Sequence, residues 1–542
     1  MATEQPERRQ PDERPAARPH RVAHRRDLTY QFPVYRWLAW LVVAGYAIGL
    51  GFMYLLAGMF GLPAPLTWAF LVVLFFAGIA LLERPKALLI CMMFFFLLMP
   101  SNRILGLVGV PLPGFLDELF FVPFVAVIVM SWIQRSSMPK GMWFAMSFCL
   151  LAGLSWYANG KPSPTTTVQV TLIMLKFFIL WYFCRLVAPF RSLKDFWTWG
   201  EFYIHYAAVQ FLYNCLWQGG PWVRHHWDNS GGVFGPEGSG AAHLVGYISI
   251  IALFLLAAWW VGEGRKASAP KRWWMALMGL VIAYDLIFMT DTKHALAMAP
   301  VAFFPVLFHR SIALKTRLAL LTVGGAFVVV AVFYIATFTN SANLHRFATV
   351  MADSPKGEAY LAVTKDFRFL VPYPVLGAGP GRFFSSQAVD AMAPLARRYV
   401  IPYYDEIQRS QSLHVSGSRT GGSLLAYPAA DILTLTGEFG WCGMGLYASF
   451  LVFIWVGLWR KANRWTGHFG GSFVFLSLGA SVVFLFETMF FYTTSTIPSI
   501  VFPLWMLIGR VWDLEPPEES GEASLPLPED GDRAFSEFAE PR

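Results

Sequence analysis

Residues 240–262 read GAAHLVGYISIIALFLLAAWWVG, a run without Asp, Glu, Lys or Arg. An α-helix rises about 1.5 Å per residue, so about 20 apolar residues cross the hydrocarbon core of a bilayer. The apolar residues follow one another directly, whereas a strand of an outer-membrane barrel alternates apolar and polar residues. The stretch therefore predicts a membrane-spanning helix.

The composition of the whole chain extends this prediction. Of the 542 residues, 56% are hydrophobic and 14% are charged, against about 25% charged residues in a soluble domain. A cytosolic enzyme, a secreted disulfide scaffold and a disordered chain are therefore excluded. The five cysteines lie within or beside apolar runs, which is typical of small buried side chains rather than of disulfides or metal ligands.

Apolar runs of spanning length recur along the chain and predict about 14 transmembrane helices in an all-α polytopic membrane protein. One large structured periplasmic loop interrupts them. The predicted spans are 37–59, 64–82, 87–106, 115–134, 142–158, 167–189, 196–217, 240–262, 273–290, 294–309, 316–338, 433–458, 470–488 and 494–511.

The basic residues between these spans predict the topology. With the N-terminus in the cytoplasm, six short inner turns carry seventeen Lys and Arg residues, and the short outer turns carry four. Cytoplasmic loops of membrane proteins carry such an excess of basic residues. We therefore expect a multi-pass protein of the bacterial inner membrane with both termini in the cytoplasm.

The chain divides into five predicted regions. The two tails are polar, and we expect both to be disordered. The long loop carries many aromatic residues, so we expect an ordered periplasmic cap with short helices. The regions are a cytoplasmic tail at 1–34, spans 1–11 at 35–338, the loop at 339–432, spans 12–14 at 433–511 and an acidic tail at 512–542.

The charged residues that lie in or beside predicted spans include Asp117, Glu118, Lys176, Glu201, Asp285 and Glu487. Charge inside a bilayer is costly and is usually paired or turned towards a cavity. We therefore expect Lys176 to pair with Glu201 or Asp285.

Three polar segments, 224–235, 290–294 and the long loop, fall on the outer side under this topology. Arginine binds phosphate through two parallel N–H groups, and Gly-rich turns let backbone N–H groups reach phosphate oxygens. Together they predict a site for a lipid-linked anion. The candidate cations are Arg224, Lys293, Arg368 and Arg382.

Two glycine-rich stretches lie in and after the long loop. Residues 374–383 read PVLGAGPGRF and 437–443 read GEFGWCG. They resemble the PllGxGxGxF and ElGxxG stretches of the O-antigen ligase and Wzy-type polysaccharide polymerase superfamily, bacterial transferases of lipid-linked glycans. The resemblance extends over roughly residues 160–460 and implies a glycosyltransferase-C-like fold.

Two further sequence features bear on whether the chain is more similar to the polymerases or to the ligases of that superfamily. Arg224 and Gly235, and likewise Arg368 and Gly379, are separated by ten residues, as in two periplasmic loops of Wzy-type polymerases. Ligases of the group carry a His about nine residues before the Glu of the second stretch. This chain has YPAAD there, and its nearest histidine, His414, lies farther upstream. The departure favours a polymerase.

The resemblance implies a glycosyltransferase that joins undecaprenyl-pyrophosphate-linked oligosaccharide repeat units into O-antigen, capsule or exopolysaccharide, with a periplasmic active site. Both the donor and the acceptor are then lipid-linked glycans among membrane lipids. We expect no cofactor, no metal and no nucleic acid; a flippase and a chain-length co-polymerase are candidate partners. The four cations would bind the pyrophosphate, and the candidate catalytic bases are His414, Asp291 and Asp228.

Two other functions stay open at this point. One is an O-antigen-type ligase that transfers a finished glycan to a lipid or protein acceptor. The other is a flippase or transporter of lipid-linked oligosaccharides, although transporters are often built from internal repeats and no convincing repeat is present here.

Overall fold

The computed structural model describes residues 124–125, 127–129, 131–132, 141–187, 189–218, 231–232, 239–290, 292–338, 355–400, 430–493 and 497–517. All of them belong to the second of two units into which the chain divides, residues 84–542. Every regular element among these residues is a helix.

The first part of the helical bundle precedes the long loop. Where α2 begins, Pro164 suits the first helical position, because its fixed φ matches a helix and its missing N–H group is not needed there. The last helical turns after α5 widen into a π-helix over Asp285–Met289. The helices are α1 (Met142–Ala158), α2 (Pro164–Val187), α3 (Leu193–Gln218), α4 (Ser239–Gly262), α5 (Ala269–Tyr284), α6 (Lys293–Leu307) and α7 (Leu314–Phe338).

Residues 355–400, here called the cap, contain four short helices. They are α8 (Pro355–Thr364), α9 (Phe367–Leu370), α10 (Ser386–Asp390) and α11 (Pro394–Tyr399). The cap has an apolar core of its own, in which the rings of Phe383 and Phe384 stack with centroids 4.0 Å apart. This part of the long loop is ordered with short helices, as its aromatic content predicts; the remainder of 339–432, up to residue 429, lies outside the described residues.

Three helices follow the cap: α12 (Asp431–Arg464), α13 (Phe469–Thr488) and α14 (Pro498–Val511). Helix α13 packs against α12, α4 and α6, while α14 packs against α2. Helix α12 also contacts α1, so the helices before and after the cap form one bundle.

Aromatic side chains from three helices form the centre of this bundle. The ring centroids of Phe178 and Phe450 lie 4.3 Å apart, and those of Phe177 and Tyr447 lie 5.2 Å apart. Trp505 of α14 completes the group at 5.4 Å from Phe177. All five side chains are buried. Lipid tails are as apolar as these rings, so close packing, rather than the removal of water, holds such helices together in a bilayer. Each aromatic pair contributes about 0.5–1.5 kcal/mol.

Polar contacts collect at the end of the bundle opposite the cap. Arg185 forms an ion pair with Asp513 at 2.9 Å, and the Nε2 atom of His309 lies 3.0 Å from the Oδ1 atom of Asn463. These contacts join turns in which the sequence predicts a cytoplasmic excess of Lys and Arg.

Within the described part of the chain, five helices are long and apolar enough to cross a membrane. They agree with the expectation of an all-helical membrane protein. The count of 14 spans and the side of the membrane on which the cap lies stay predictions, because residues 1–123 lie outside the described part of the chain. The five are Pro164–Val187, Ala242–Gly262, Ala269–Met289, Asp431–Arg464 and Phe469–Thr488.

Glu201 and Asp285 have partners other than Lys176. The Oε1 atom of Glu201 lies 2.7 Å from the Nζ atom of Lys271. Asp285 accepts a hydrogen bond from the side-chain amide of Asn214 at 2.7 Å. The expected pairing with Lys176 is therefore wrong, because nearer donors from α5 and α3 reach these carboxylates.

Candidate functional site

The two glycine-rich stretches that carry the family resemblance bind each other through their backbones. The N–H groups of Ala378 and Gly379 donate to the carbonyl groups of Gly437 and Glu438, at 2.8 and 3.1 Å. In return, the N–H groups of Trp441 and Cys442 donate to the carbonyl groups of residues 374 and 375, at 3.3 and 3.2 Å. Residues 374–383, here called the cap loop, thus complete the hydrogen bonding of α12 where that helix is interrupted.

The interruption of α12 is located at Gly440, whose φ of 72° and ψ of −172° are not helical. A residue with a Cβ atom rarely adopts this φ. An added Cβ atom would also lie 2.3 Å from the carbonyl oxygen of Val375. Glycine at 440 therefore permits both the break and the close approach of the cap loop.

The side chain of Glu438 fixes the next part of the same loop. Its Oε2 atom accepts a hydrogen bond from the N–H group of Gly381 at 2.6 Å. Its Oε1 atom accepts from the N–H groups of Ser385 at 2.8 Å and Phe383 at 3.2 Å. The carboxyl group is fully buried, and three backbone donors offset the cost of burying its charge. The geometry gives Glu438 the role of organising residues 381–385.

Helix α1 holds the cap loop from the other side. The hydroxyl group of Ser155 donates to the carbonyl group of Leu376 at 2.6 Å. The side-chain amide of Asn159 donates to the carbonyl group of Gly377 at 3.0 Å. Asn159 also donates to the carbonyl group of Ser155 at 2.8 Å, so the end of α1 and the loop share one network. The loop is consequently held by α1 and α12 together.

Gly381 brings the loop against the start of α2. Its φ is 75°, and an added Cβ atom would lie 2.2 Å from the Cγ2 atom of Thr166. Only a residue without a side chain fits between the loop and α2 at this point. The next residue in the chain, Arg382, is half-buried.

An open cleft of about 530 Å³ lies beside Arg382. Its walls come from the α1–α2 turn, the segment after α9, the glycine-rich loop and the start of α11. Among the described residues that line it, Arg382 is the one with a charged side chain. The lining residues are Ala158, Asn159, Pro162, Ser163, Thr166, Leu370, Val371, Pro372, Ala378, Gly381, Arg382, Ala391, Ala393, Pro394 and Leu395.

The chemistry of this cleft suits an anion with an apolar neighbour. The guanidinium group of Arg382 presents N–H donors in a planar fork that matches phosphate oxygens. Aliphatic side chains and prolines form most of the remaining wall. Such a wall lowers the local dielectric constant, which strengthens a contact between the guanidinium group and an anion.

The other predicted pyrophosphate-binding residues are placed differently. Arg368 is exposed on α9, with its guanidinium carbon 4.6 Å from the ring centroid of Phe369, and it is not among the residues that line the cleft. Lys293 is the first residue of α6, and its side chain lies outside the described part. Arg224 also lies outside the described residues.

The three candidate catalytic bases, His414, Asp291 and Asp228, fall outside the described residues as well. Their roles stay predictions. Of the predicted site residues whose side chains are described, the structure places Arg382 in the cleft and Arg368 on the surface of the cap.

Sequence reasoning missed the contribution of α1 and α2, in particular Asn159 and Thr166. One signal was available: Asn159 and Gly160 form an Asn-Gly pair between two apolar runs, and this pair is typical of a tight turn. The predicted topology assigns this turn to the same side as the long loop, which is compatible with contact between them but does not predict it. Compared with known protein families and with curated proteins, the chain matches none.

Proposed function

We propose that this protein is an integral-membrane glycosyltransferase that polymerises lipid-linked oligosaccharide repeat units, with Arg382 binding the diphosphate of the donor. The observation that carries the proposal is the mutual docking of 374–383 and 437–443. These are the two stretches that resemble the transferase superfamily, and their contact presents Arg382 to a cleft.

The proposed reaction is a substitution at the anomeric carbon of the donor glycan. A hydroxyl oxygen of the acceptor forms the new bond to that carbon, and its proton passes to a base or to water. The bond to the diphosphate oxygen breaks, and its electron pair leaves with undecaprenyl diphosphate. Negative charge therefore grows on the leaving group, and a fixed guanidinium group stabilises it more in the transition state than in the ground state.

The rigidity of the loop supports this role for Arg382. The loop is held by hydrogen bonds at four residues. Gly377 accepts one from Asn159, residues 378 and 379 donate to carbonyl groups of α12, and Gly381 donates to the Glu438 side chain. A cation on such a loop is positioned before substrate binds, so little ordering cost falls on the reaction itself. Arg224 and Lys293 remain further predicted cations for the same diphosphate.

The test compares Arg382→Ala and Arg382→Lys with Arg397→Ala in a strain that lacks the native gene. Arg397 is an exposed arginine on α11 and provides the matched control. Loss of the two-pronged contact costs on the order of 1–3 kcal/mol, or about 10- to 100-fold in rate. Both Arg382 variants should therefore give short surface polysaccharide on gels, while Arg397→Ala gives the normal length distribution.

Two results would count against the proposal. Polysaccharide of full length from Arg382→Ala would remove the assigned role of this residue. Deletion of the gene itself should leave single repeat units; long chains that accumulate on the carrier lipid would instead indicate a ligase.

A further inference from the structure

A second group of basic side chains lies beneath the cap and is distinct from the cleft around Arg382. His243 of α4 and His294 of α6 face each other with ring centroids 4.7 Å apart. Lys356 of the cap helix α8 donates a hydrogen bond to the carbonyl group of Phe491, and the ring of Phe491 stacks on His294 at 5.3 Å. Three separate elements thus bring three basic groups to one place.

Lys356 is the most deeply buried of these groups, with 1% of its surface exposed. Its amino group has one hydrogen-bond partner, the Phe491 carbonyl, and no ion-pair partner among the described residues. Burial lowers the pKa of Lys356 from 10.5 to about 7. An anion beside this amino group would favour the protonated form and would use its remaining N–H donors.

His294 also retains an unused nitrogen. Its Nε2 atom lies 2.6 Å from the hydroxyl oxygen of Tyr247, and its Nδ1 atom has no hydrogen-bond partner in the part of the chain that the structure describes. When the Tyr247 hydroxyl donates to Nε2, the hydrogen of the neutral ring sits on Nδ1 and is free to donate. His294 is partly exposed, so a ligand has access to the group from its side.

Several titratable residues of the described part lie near this group. Asp431, at the start of α12, is close enough to raise the pKa of Tyr360, although burial is the larger cause. Asp431 and Tyr492 are also close to Tyr247. Neither is a cause of the pKa shift of Lys356. Among the described residues, neither Lys356 nor His294 has an acid that compensates it directly, and a buried charge without a partner is costly.

We propose that His243, His294 and Lys356 bind the diphosphate of a second lipid-linked glycan, the acceptor. The proposal rests on the proposed function, because a polymerase of lipid-linked repeats holds a donor diphosphate and an acceptor diphosphate at the same time. Arg382 serves the donor from the cleft. The buried basic group, built from α4, α6 and the same cap, serves the acceptor.

The experiment measures binding of inorganic pyrophosphate to the purified full-length protein in detergent by titration calorimetry. Wild-type protein should bind two pyrophosphate ions per chain. Arg382→Ala and Lys356→Met should each bind one, and the double variant none. Lys365→Met, in which an exposed lysine just after α8 is replaced, provides the matched control and should bind two.

Variants at His294 keep the test informative if Lys356→Met fails to fold. A glutamine amide reaches towards the position of Nε2, and an asparagine amide towards the position of Nδ1. His294→Gln therefore keeps the contact with Tyr247 and loses the Nδ1 donor, so pyrophosphate should bind at least 10-fold more weakly at this site. His294→Asn should bind it within a few fold of wild type.

Farnesyl diphosphate is the second probe, since it distinguishes a lipid headgroup from free phosphate. In Arg382→Ala protein it should compete with pyrophosphate for the remaining site. Binding of pyrophosphate that farnesyl diphosphate does not displace would overturn the lipid assignment. The site itself would be overturned if Lys356→Met kept the wild-type stoichiometry and His294→Gln kept the wild-type affinity. The proposed function fails separately if Arg382→Ala leaves polysaccharide length unchanged in cells although the purified wild-type protein binds two pyrophosphate ions.

Discussion

The carboxyl group of Glu438 accepts a hydrogen bond from the backbone N–H group of Gly381 at 2.6 Å, across 57 residues of sequence. Two more backbone donors, from Phe383 and Ser385, reach the other carboxyl oxygen. A buried side chain of α12 therefore determines the conformation of the loop that presents Arg382.

Replacement of Glu438 by Gln should destabilise the protein. The amide places an NH₂ group where one oxygen accepted a backbone N–H group, so at least one buried donor loses its partner. Such a loss costs about 1–3 kcal/mol. Thermal unfolding in detergent, followed by tryptophan fluorescence, should show a lower midpoint. Asp366→Asn, at an exposed cap carboxylate, is the control and should match wild type; an unchanged midpoint for Glu438→Gln would contradict the assigned role.

Two glycines of α12 should respond in opposite ways to replacement by alanine. Gly440 has a φ of 72°, and an added Cβ atom would meet the Val375 carbonyl group at 2.3 Å, so Gly440→Ala should lower the unfolding midpoint strongly. Gly445 has no atom within 4 Å of such a Cβ atom. Gly445→Ala should raise stability by about 0.5–1 kcal/mol, because alanine has the higher helix propensity. Similar midpoints for the two variants would exclude the strained approach at Gly440.

The burial of Lys356 predicts a pH dependence of stability. Its pKa is about 7 in the folded protein and 10.5 as the ordinary value. Between these values the unfolded chain binds the proton and the folded chain does not, so the free energy of unfolding rises as the pH rises from about 7 to 10.5. Below pH 7 the full cost of burying the charge is present. Lys356→Met should remove this part of the slope, and the difference between the two unfolding curves measures it. Parallel curves over this range would show that Lys356 keeps an ordinary pKa.

The sidedness of the bundle can be tested with single cysteines in a cysteine-free background. Lys161 lies in the α1–α2 turn beside the cleft, and Lys266 lies in the α4–α5 turn; both are exposed. The excess of basic residues predicts that Lys266 lies in the cytoplasm. In intact cells a membrane-impermeant maleimide should therefore label Lys161→Cys, and it should label Lys266→Cys only after permeabilisation. Labelling of both from outside would overturn the topology.

The helices of the bundle could be predicted from the sequence because apolar runs of spanning length lie between charged turns. The run predicted at 142–158 coincides with α1, and the run at 470–488 differs from α13 by one residue at its start. Boundaries of this kind depend on local composition, which is visible in the sequence. The same reasoning failed for Lys176, because pairing depends on which side chains the packed helices bring within reach.

The candidate site was only partly predictable. Arg382 directly follows Gly381, whereas the glycine nearest to Arg368 is Gly377, nine residues farther on. This difference in sequence does not show which arginine faces a cleft. The fold separates them: Arg382 follows Gly381, which the contacts with Glu438 and Thr166 hold at the cleft, while Arg368 lies on a short surface helix. The docking of the two motifs was not predictable either, because it is made mainly by backbone groups that every residue possesses.

The break at Gly440 has a consequence for substrate entry. If the 374–379 segment lifted away, the N–H groups of residues 441 and 442 and the carbonyl groups of 437 and 438 would lose their partners. Residues 437 and 438 are buried, and each unpaired buried group costs about 1–3 kcal/mol, so opening this seam would be expensive. The segment is therefore a stationary wall rather than a gate, and under the proposed function the growing glycan has to pass alongside it without displacing it.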